Sequence, residues 1–385
     1  MSTIVLPRTL EIGHDSIKRL PNVLHGLNSK KPLIVTDSMM VKLGYLNNVQ
    51  TILSQAGIES DVYSDTVPEP TAESIQAGID KVRSADFDSV IALGGGSPID
   101  SAKAIAVIGK LGGVINEYRF PRQVEEQGLP IIAIPTTAGT GSECTRVTII
   151  TDEKTDEKLM CMGTGFMPTA AIVDYNLTLS VPARTTADTG IDAMTHAIEA
   201  YVSRKANLYS DSQALCAMKL IGPNLRKVYH DGNDKEAREA MMLGSTLAGV
   251  AFSNASVALV HGMSRPIGAF FHVPHGLSNA MLLPAVTRFS LKSAKARYAV
   301  CARTLTFAQE TDSDDVACEK LINTLVELNR ELSVPTPAEF GIDKQQFFSV
   351  IETMAKQAEA SGSPNNNPRI PTIEEMVAIY TQLWN

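Results

Sequence analysis

DSVIALGGGSPIDSAKAIAVIG, residues 88–109, decides the fold. The apolar, β-rich run SVIAL leads straight into Gly94-Gly95-Gly96-Ser97, and an Ala/Ile helical pattern follows from about Pro98. This reads as a buried strand, a glycine turn and a helix. Glycines at such a turn let backbone N–H groups approach a phosphate, and the helix N-terminus favours its negative charge. Ser97 is expected to cap the helix, with Pro98 in its first turn. The run is neither G-x-G-x-x-G nor a P-loop lysine motif, so a tight packing turn stands as the alternative reading.

The same alternation extends to both sides. KPLIVTD (31–37) reads as a buried strand followed by an amphipathic helix through VKLGYLNNVQTILSQAG, and ESDVYSD (59–65) as a second strand. TAESIQAGIDKVRSAD is a helix opened by a Thr cap with Glu73 close behind, in the manner of a capping box. LPIIAIPTTAGTGSE (129–143) is a strand and then a loop rich in Thr and Gly. Strands alternating with helices imply a parallel sheet covered on both faces, with ligands at the carboxyl ends of the strands. The loop Thr136-Thr137-Ala138-Gly139-Thr140-Gly141-Ser142 then shares an edge with the glycine turn, and the two together read as a dinucleotide cradle. Asp37, at a strand end, is placed to accept hydrogen bonds from ribose hydroxyls and to repel a 2′-phosphate, which favours NAD(H) over NADP(H). Its other reading is a turn-forming aspartate before Ser38.

From about Pro182 every segment carries helical periodicity. The expected architecture is an α/β dinucleotide-binding domain, residues 1–183, followed by an all-α domain, residues 184–385, with the active site in the cleft between them. In TGIDAMTHAIEAY (189–201), Asp192 and His196 stand four residues apart and share a helix face. His261 and His275 bracket HGMSRPIGAFFHVPH downstream. One carboxylate and three imidazoles are a common donor set for Fe(II) or Zn(II). Each residue also has a plainer reading: a lone histidine in an apolar stretch as a hydrogen-bonded core residue, and the Asp-x3-His pair as an exposed charge pair worth ~0.5 kcal/mol.

The chain has 385 residues, 44% of them hydrophobic and 20% charged, as in a two-domain globular protein. A net charge of -8 argues against nucleic acid or an anionic membrane as a partner. The five scattered cysteines form no C-x-x-C pair and suggest reduced thiols in a cytoplasm. MSTIVLPRTLEIG lacks the pattern of a signal peptide, and no apolar run approaches the ~18 residues of a membrane span.

ALGGGSPIDSAKAIA, PTTAGTGSE and TGIDAMTHAIEAY, in this order, resemble the iron-containing (group III) alcohol dehydrogenase family. LPRTLEIG, LIVTD, PEPT, TDEKTDEK, LAGVAFSNASVALVHGM and PHGLSNAMLLP extend the resemblance essentially end to end. It implies a nucleotide-binding α/β domain with a helical C-terminal domain, usually dimeric, a fold shared with glycerol dehydrogenases and dehydroquinate synthases. The implied metal ligands are Asp192, His196, His261 and His275, with Fe2+ favoured over Zn2+. The implied cofactor contacts are Asp37, Gly95, Gly96, Ser97, Thr136, Thr137 and Lys158, with Asp100 and Lys103 on the helix after the loop. Phe252 falls where the family often has a substrate-pocket aromatic.

One position departs from the family pattern. Members carry a second histidine four residues after the His261 position, often cast as a proton relay, and here that position is Arg265. Arginine stays charged and does not shuttle protons at neutral pH. His272 is the nearby candidate for that role, beside a structural one. The expected activity is interconversion of a small primary alcohol or diol and its aldehyde. Arg265 suggests a small aldehyde bearing a carboxylate, sulfonate or phosphonate as the alternative, against a cofactor-phosphate or salt-bridge role. A dehydroquinate synthase would need clustered Lys and Arg partners that the sequence does not show, and a silent NAD- and metal-binding protein is the non-enzymatic reading. The expected assembly is a cytoplasmic homodimer.

Overall fold

The computed structural model describes residues 2–155 and 157–384. The chain divides into two compact units, Val5–Ser180 and the part from Val181 onward together with the first few residues. The division falls a few residues before the expected boundary.

The first unit is built on a parallel sheet of β1 (Thr9–Ile12), β2 (Pro32–Asp37), β3 (Asp61–Thr66), β4 (Ser89–Gly94), β5 (Ile131–Pro135) and β8 (Ala170–Val173). β6 (Val147–Asp152) and β7 (Glu157–Met162) form a separate antiparallel pair. The sheet order is β1-β8-β5-β4-β2-β3, every pairing parallel. Helices α1 (Leu20–Gly26), α2 (Ser38–Lys42), α3 (Tyr45–Gln55), α4 (Ala72–Ser84) and α5 (Gly96–Leu111) complete it.

Alternate residues of the central strands feed two cores. Leu33, Val35, Val90, Ala92, Ile131 and Ala133 pack with α4 and α5, whereas Ile34, Ile91, Leu93, Ile132 and Ile134 pack with α1 and α3. This double burial is why the strands read as continuous apolar runs. β2 proceeds outward to β3, and the chain then returns to lay β4 on the other side of β2. The order therefore reverses between β2 and β4, whose carboxyl ends are Asp37 and Gly94. Crevices at such reversals are where open parallel sheets bind ligands.

Three local expectations are corrected. The helix after β2 is two helices, broken at Gly44, which adopts φ 78°. The capping box of α4 pairs Thr71 with Ser74, not Glu73. Gly95, not Ser97, is the N-cap of α5, and Pro98 lies two residues inside the helix start at Gly96. A glycine cap is silent in sequence because it caps with backbone alone.

The second unit is helical, as expected. It comprises α6 (Ala183–Val202), α7 (Leu208–His230), α8 (Lys235–Ala255), α9 (Leu259–Phe271), α10 (His275–Ser290), α11 (Lys295–Thr304), α12 (Asp314–Glu331), α13 (Lys344–Ala360) and α14 (Ile373–Trp384). α6 is buried along nearly its whole length, so its polar residues Asp192, His196 and Glu199 lie inside the domain. No single described helix is long and apolar enough to cross a membrane.

Candidate metal centre and nucleotide loop

The glycine turn and the Thr/Gly loop meet within the first unit. Gly94 has φ 147°, and a Cβ on it would lie 2.5 Å from Pro98 Cγ, so only glycine fits. A Cβ on Gly96 would lie 2.8 Å from Thr140 Cγ2, which shows how closely the two loops pack. Thr137 Oγ1 borders Gly95, and the Thr136 N–H donates to Gly94 O at 3.0 Å. Among the described residues no side chain caps α5, whose N-cap is Gly95. Ser97 Oγ accepts from the Glu69 N–H at 3.3 Å, and the Lys158 ammonium, nearly buried, pairs with Glu69. Asp37 takes the turn-forming reading. It ends β2 beside the reversal, while its Oδ1 caps α2 by accepting from Met39 and Met40 N–H at 2.8 and 2.9 Å.

Asp100 and Lys103 act differently from the expectation. Lys103 is fully buried, and its Nζ has four acceptors at 2.8–3.0 Å: Ser142 Oγ, Thr145 O, Thr145 Oγ1 and Val147 O. Its three donors are spent inside the protein, so it braces the loop rather than reaching a cofactor. Burial drives its pKa down to about 8, against the pull of Asp100 and Glu143. Asp100 accepts from Ser142 Oγ at 2.7 Å and from the Ile149 N–H at 2.9 Å, tying the same loop to α5.

In the second unit the four expected ligands converge. Asp192 and His196 project from α6, His261 from α9 and His275 from the first turn of α10, and one donor atom of each lies within 4.8 Å of the others. Asp192 Oδ1 stands 3.9 Å from His196 Nε2, 3.5 Å from His261 Nε2 and 3.8 Å from His275 Nε2. Burial raises the Asp192 pKa, but the three imidazoles outweigh it and hold the carboxyl well below the usual range. Burial pushes His196 down to about 3 against the attraction of Asp192, leaving it a neutral imidazole. His196 is stacked between Phe252 and His261, with centroids 4.2 and 4.4 Å away.

Two residues of the centre escaped the sequence reading. Glu199 accepts from His261 Nδ1 at 2.7 Å, from the Ala258 N–H at 2.8 Å and from the Val260 N–H at 2.6 Å. The bond to Nδ1 leaves the Nε2 lone pair facing Asp192, the orientation a metal ligand needs. Asn279 is fully buried, with Nδ2 2.6 Å from Asp192 Oδ1 and 3.2 Å from both His261 Nε2 and His275 Nε2. Its Oδ1 is buried and has no hydrogen-bond partner among the described residues.

Three imidazoles of borderline hardness and one carboxylate, three of the four residues buried and His275 partly exposed, fit a divalent transition ion. His272 is not brought into this cluster. It is exposed at the end of α9 with φ 54°, where it turns the chain toward His275. Arg265 lies on α9 one turn beyond His261, and its Nη1 donates to Ser363 Oγ at 3.0 Å.

Comparison with known proteins follows this geometry. The profile described as "Iron-containing alcohol dehydrogenase" matches residues 7–175, and "Fe-containing alcohol dehydrogenase family, C-terminal" matches residues 186–384. The NAD-dependent methanol dehydrogenase of Bacillus methanolicus is 36% identical, covering 98% of this chain and 99% of its own. The NADPH-dependent butanol dehydrogenase of Clostridium saccharobutylicum is also 36% identical, covering 99% and 97%. The crystal structure of a 1,3-propanediol oxidoreductase superposes with a TM-score of 0.95 at 33% identity, over 100% of both chains. With its first unit matched over residues 7–175 and its second over 186–384, this chain belongs to the iron-containing alcohol dehydrogenase family.

Proposed function

We propose that the protein is an Fe2+-dependent, NAD(H)-linked oxidoreductase that interconverts a small primary alcohol or diol and its aldehyde. The observation that carries this reading is the convergence of Asp192, His196, His261 and His275 on one ion-sized space. When bound there, the ion supplies Lewis-acid polarisation of the substrate oxygen, while the nicotinamide accepts or delivers hydride. The protein's own part is to fix the donors. Glu199 sets the His261 tautomer, and Phe252 stacks on His196 as an apolar wall suited to a short carbon chain.

Asp37 at the end of β2 supports NAD(H) over NADP(H), since a carboxylate there repels a 2′-phosphate. Of the relatives, the methanol dehydrogenase is named NAD-dependent and the butanol dehydrogenase NADPH-dependent. A cytoplasmic homodimer is part of the same proposal, supported by family likeness and by five free cysteines.

The test is consumption of NADH or NADPH with propanal and lactaldehyde by metal-free, Fe2+-loaded and Zn2+-loaded protein. Turnover should require metal, be highest with iron and favour NADH at least tenfold. Metal-independent turnover, or none with any aldehyde or alcohol, would overturn the reading.

A further inference from the structure

Arg265 is a cation with no ion-pair partner among the described residues. It is partly buried on α9, on the face that carries His261, and among the described residues its only hydrogen bond is the neutral one to Ser363 Oγ. Among the described residues the carboxylate whose charge it feels is that of Glu199, and both oxygens of Glu199 are committed to His261, Ala258 and Val260. A single neutral hydroxyl does not compensate the partial desolvation of a guanidinium.

The contact with Ser363 is built in. A Cβ on Gly262 would lie 2.8 Å from Pro364 Cδ, so the turn at Ser363–Asn366 packs directly on α9 and delivers the buried Ser363 hydroxyl to the guanidinium. Local charge points the same way. Asp192 and Glu199 carry two negative charges and Arg265 one positive, while Asp188 is paired with Arg184. A divalent ion among the four donors turns this balance from one net negative to one net positive. One further negative charge, brought by a substrate, neutralises it.

We propose that Arg265 and Ser363 form an acid-group subsite, and that the substrate is a small aldehyde or alcohol whose far end is a carboxylate or sulfonate. Four residues separate Arg265 from His261, about 6 Å along the helix axis, which fits an acid group two or three bonds from the carbonyl carbon. The guanidinium offers two parallel N–H donors to such an oxyanion. Burial lowers its pKa to about 10, so it stays charged at neutral pH. The inference rests on the alcohol–aldehyde reading above. In the aldehyde direction NADH gives hydride to the carbonyl carbon, and solvent supplies the proton that makes the alcohol.

The test measures kcat/KM with NADH for propanal, succinic semialdehyde and sulfoacetaldehyde, in wild type, Arg265→Leu, Arg265→Lys and Ser363→Ala. Calorimetric titration of propionate and methanesulfonate into each protein gives a readout independent of turnover. Wild type should prefer at least one anionic aldehyde over propanal by about 100-fold, and Arg265→Leu should lose most of that preference. Arg265→Lys keeps the charge and should retain part of it; Ser363→Ala should lose less than Arg265→Leu. Binding of the matching anion should weaken at least tenfold in Arg265→Leu. The rank of the two anions identifies the acid group. A wild-type preference for propanal, an equal loss on all three aldehydes, or anion binding unchanged in Arg265→Leu overturns the proposal. If no aldehyde consumes NADH, the alcohol–aldehyde reading fails, and with it the substrate assignment. The calorimetry still decides whether Arg265 holds an acid group.

Discussion

Replacing Glu199 by glutamine tests how the His261 donor is held. In the native protein one carboxylate oxygen accepts from Ala258 N and His261 Nδ1, and the other from Val260 N. Glutamine has the same shape but only one acceptor oxygen. With that oxygen toward His261, its NH2 faces the buried Val260 N–H, at a cost of about 1–3 kcal/mol for the donor left unsatisfied. With the amide reversed, His261 Nδ1–H loses its acceptor, and the ring gains by moving its proton to Nε2, the atom that must ligate. Either outcome weakens metal binding, and changes of this kind around a ligating histidine cost about 10–100-fold in affinity. The assay is competition for Zn2+ against a chromophoric chelator, with thermal melts of the metal-free protein run in parallel. The Kd should rise about 10–100-fold for Glu199→Gln, with Glu199→Asp intermediate. A Kd within twofold of wild type would refute the argument that the carboxylate orients the ligand.

Two further perturbations concern the nucleotide-binding unit. Folded Lys103 loses its proton near pH 8, against 10.5 for the exposed side chain, so between these values the unfolded chain binds more protons and stability rises with pH. The penalty for burying the charge is thus full below about pH 8 and relieved toward 10.5. The stability difference between wild type and Lys103→Met, from denaturant titrations, should move in favour of wild type by on the order of 3 kcal/mol from pH 7 to 10.5; a flat difference would sink the assignment. At Asp37, serine keeps the cap and removes the charge, whereas alanine removes both and should cost about 1 kcal/mol of stability. Asp37→Ser should shift the NADPH/NADH ratio of kcat/KM toward NADPH at least tenfold, and an unchanged ratio would leave Asp37 as a cap alone.

His196 was legible as a rare residue type four places after Asp192 on one helix face, whereas His261 and His275, on two further helices, were reached through the clustering of histidines in the chain and the family resemblance. Two supporting residues were legible in principle too. Glu199 lies seven residues after Asp192 and three after His196, on the same face of α6, and Asn279 lies four after His275 on α10. What hid Glu199 was its partner, the chain entering α9, a contact that only tertiary folding creates. Lys103 was misread for the same reason, since its four acceptors come from residues 142–147. The parallel sheet followed from apolar runs between helical stretches, but its strand order did not, because buried strands of like composition carry no label for their neighbours. The cap of α5 was missed because glycine leaves no side-chain signal.

The turn at Ser363–Asn366 has a consequence for how such a protein can diverge. Ser256 at the end of α8 adopts φ 66°, ψ 157°, a conformation natural to glycine alone, and its hydroxyl accepts from Asn366 Nδ2. Asn366 also donates to Val257 O, steadying the two residues just before the N–H of Ala258 meets Glu199. The opposite end of the same turn supplies Ser363 to Arg265. One four-residue segment, distant in the chain from every ligand, therefore bears on both how tightly an ion is held and what kind of molecule Arg265 attracts. Drift in this segment would change two traits in a single mutational step, so selection on either restrains the other, and new specificity is reached more readily through positions that touch only one of them.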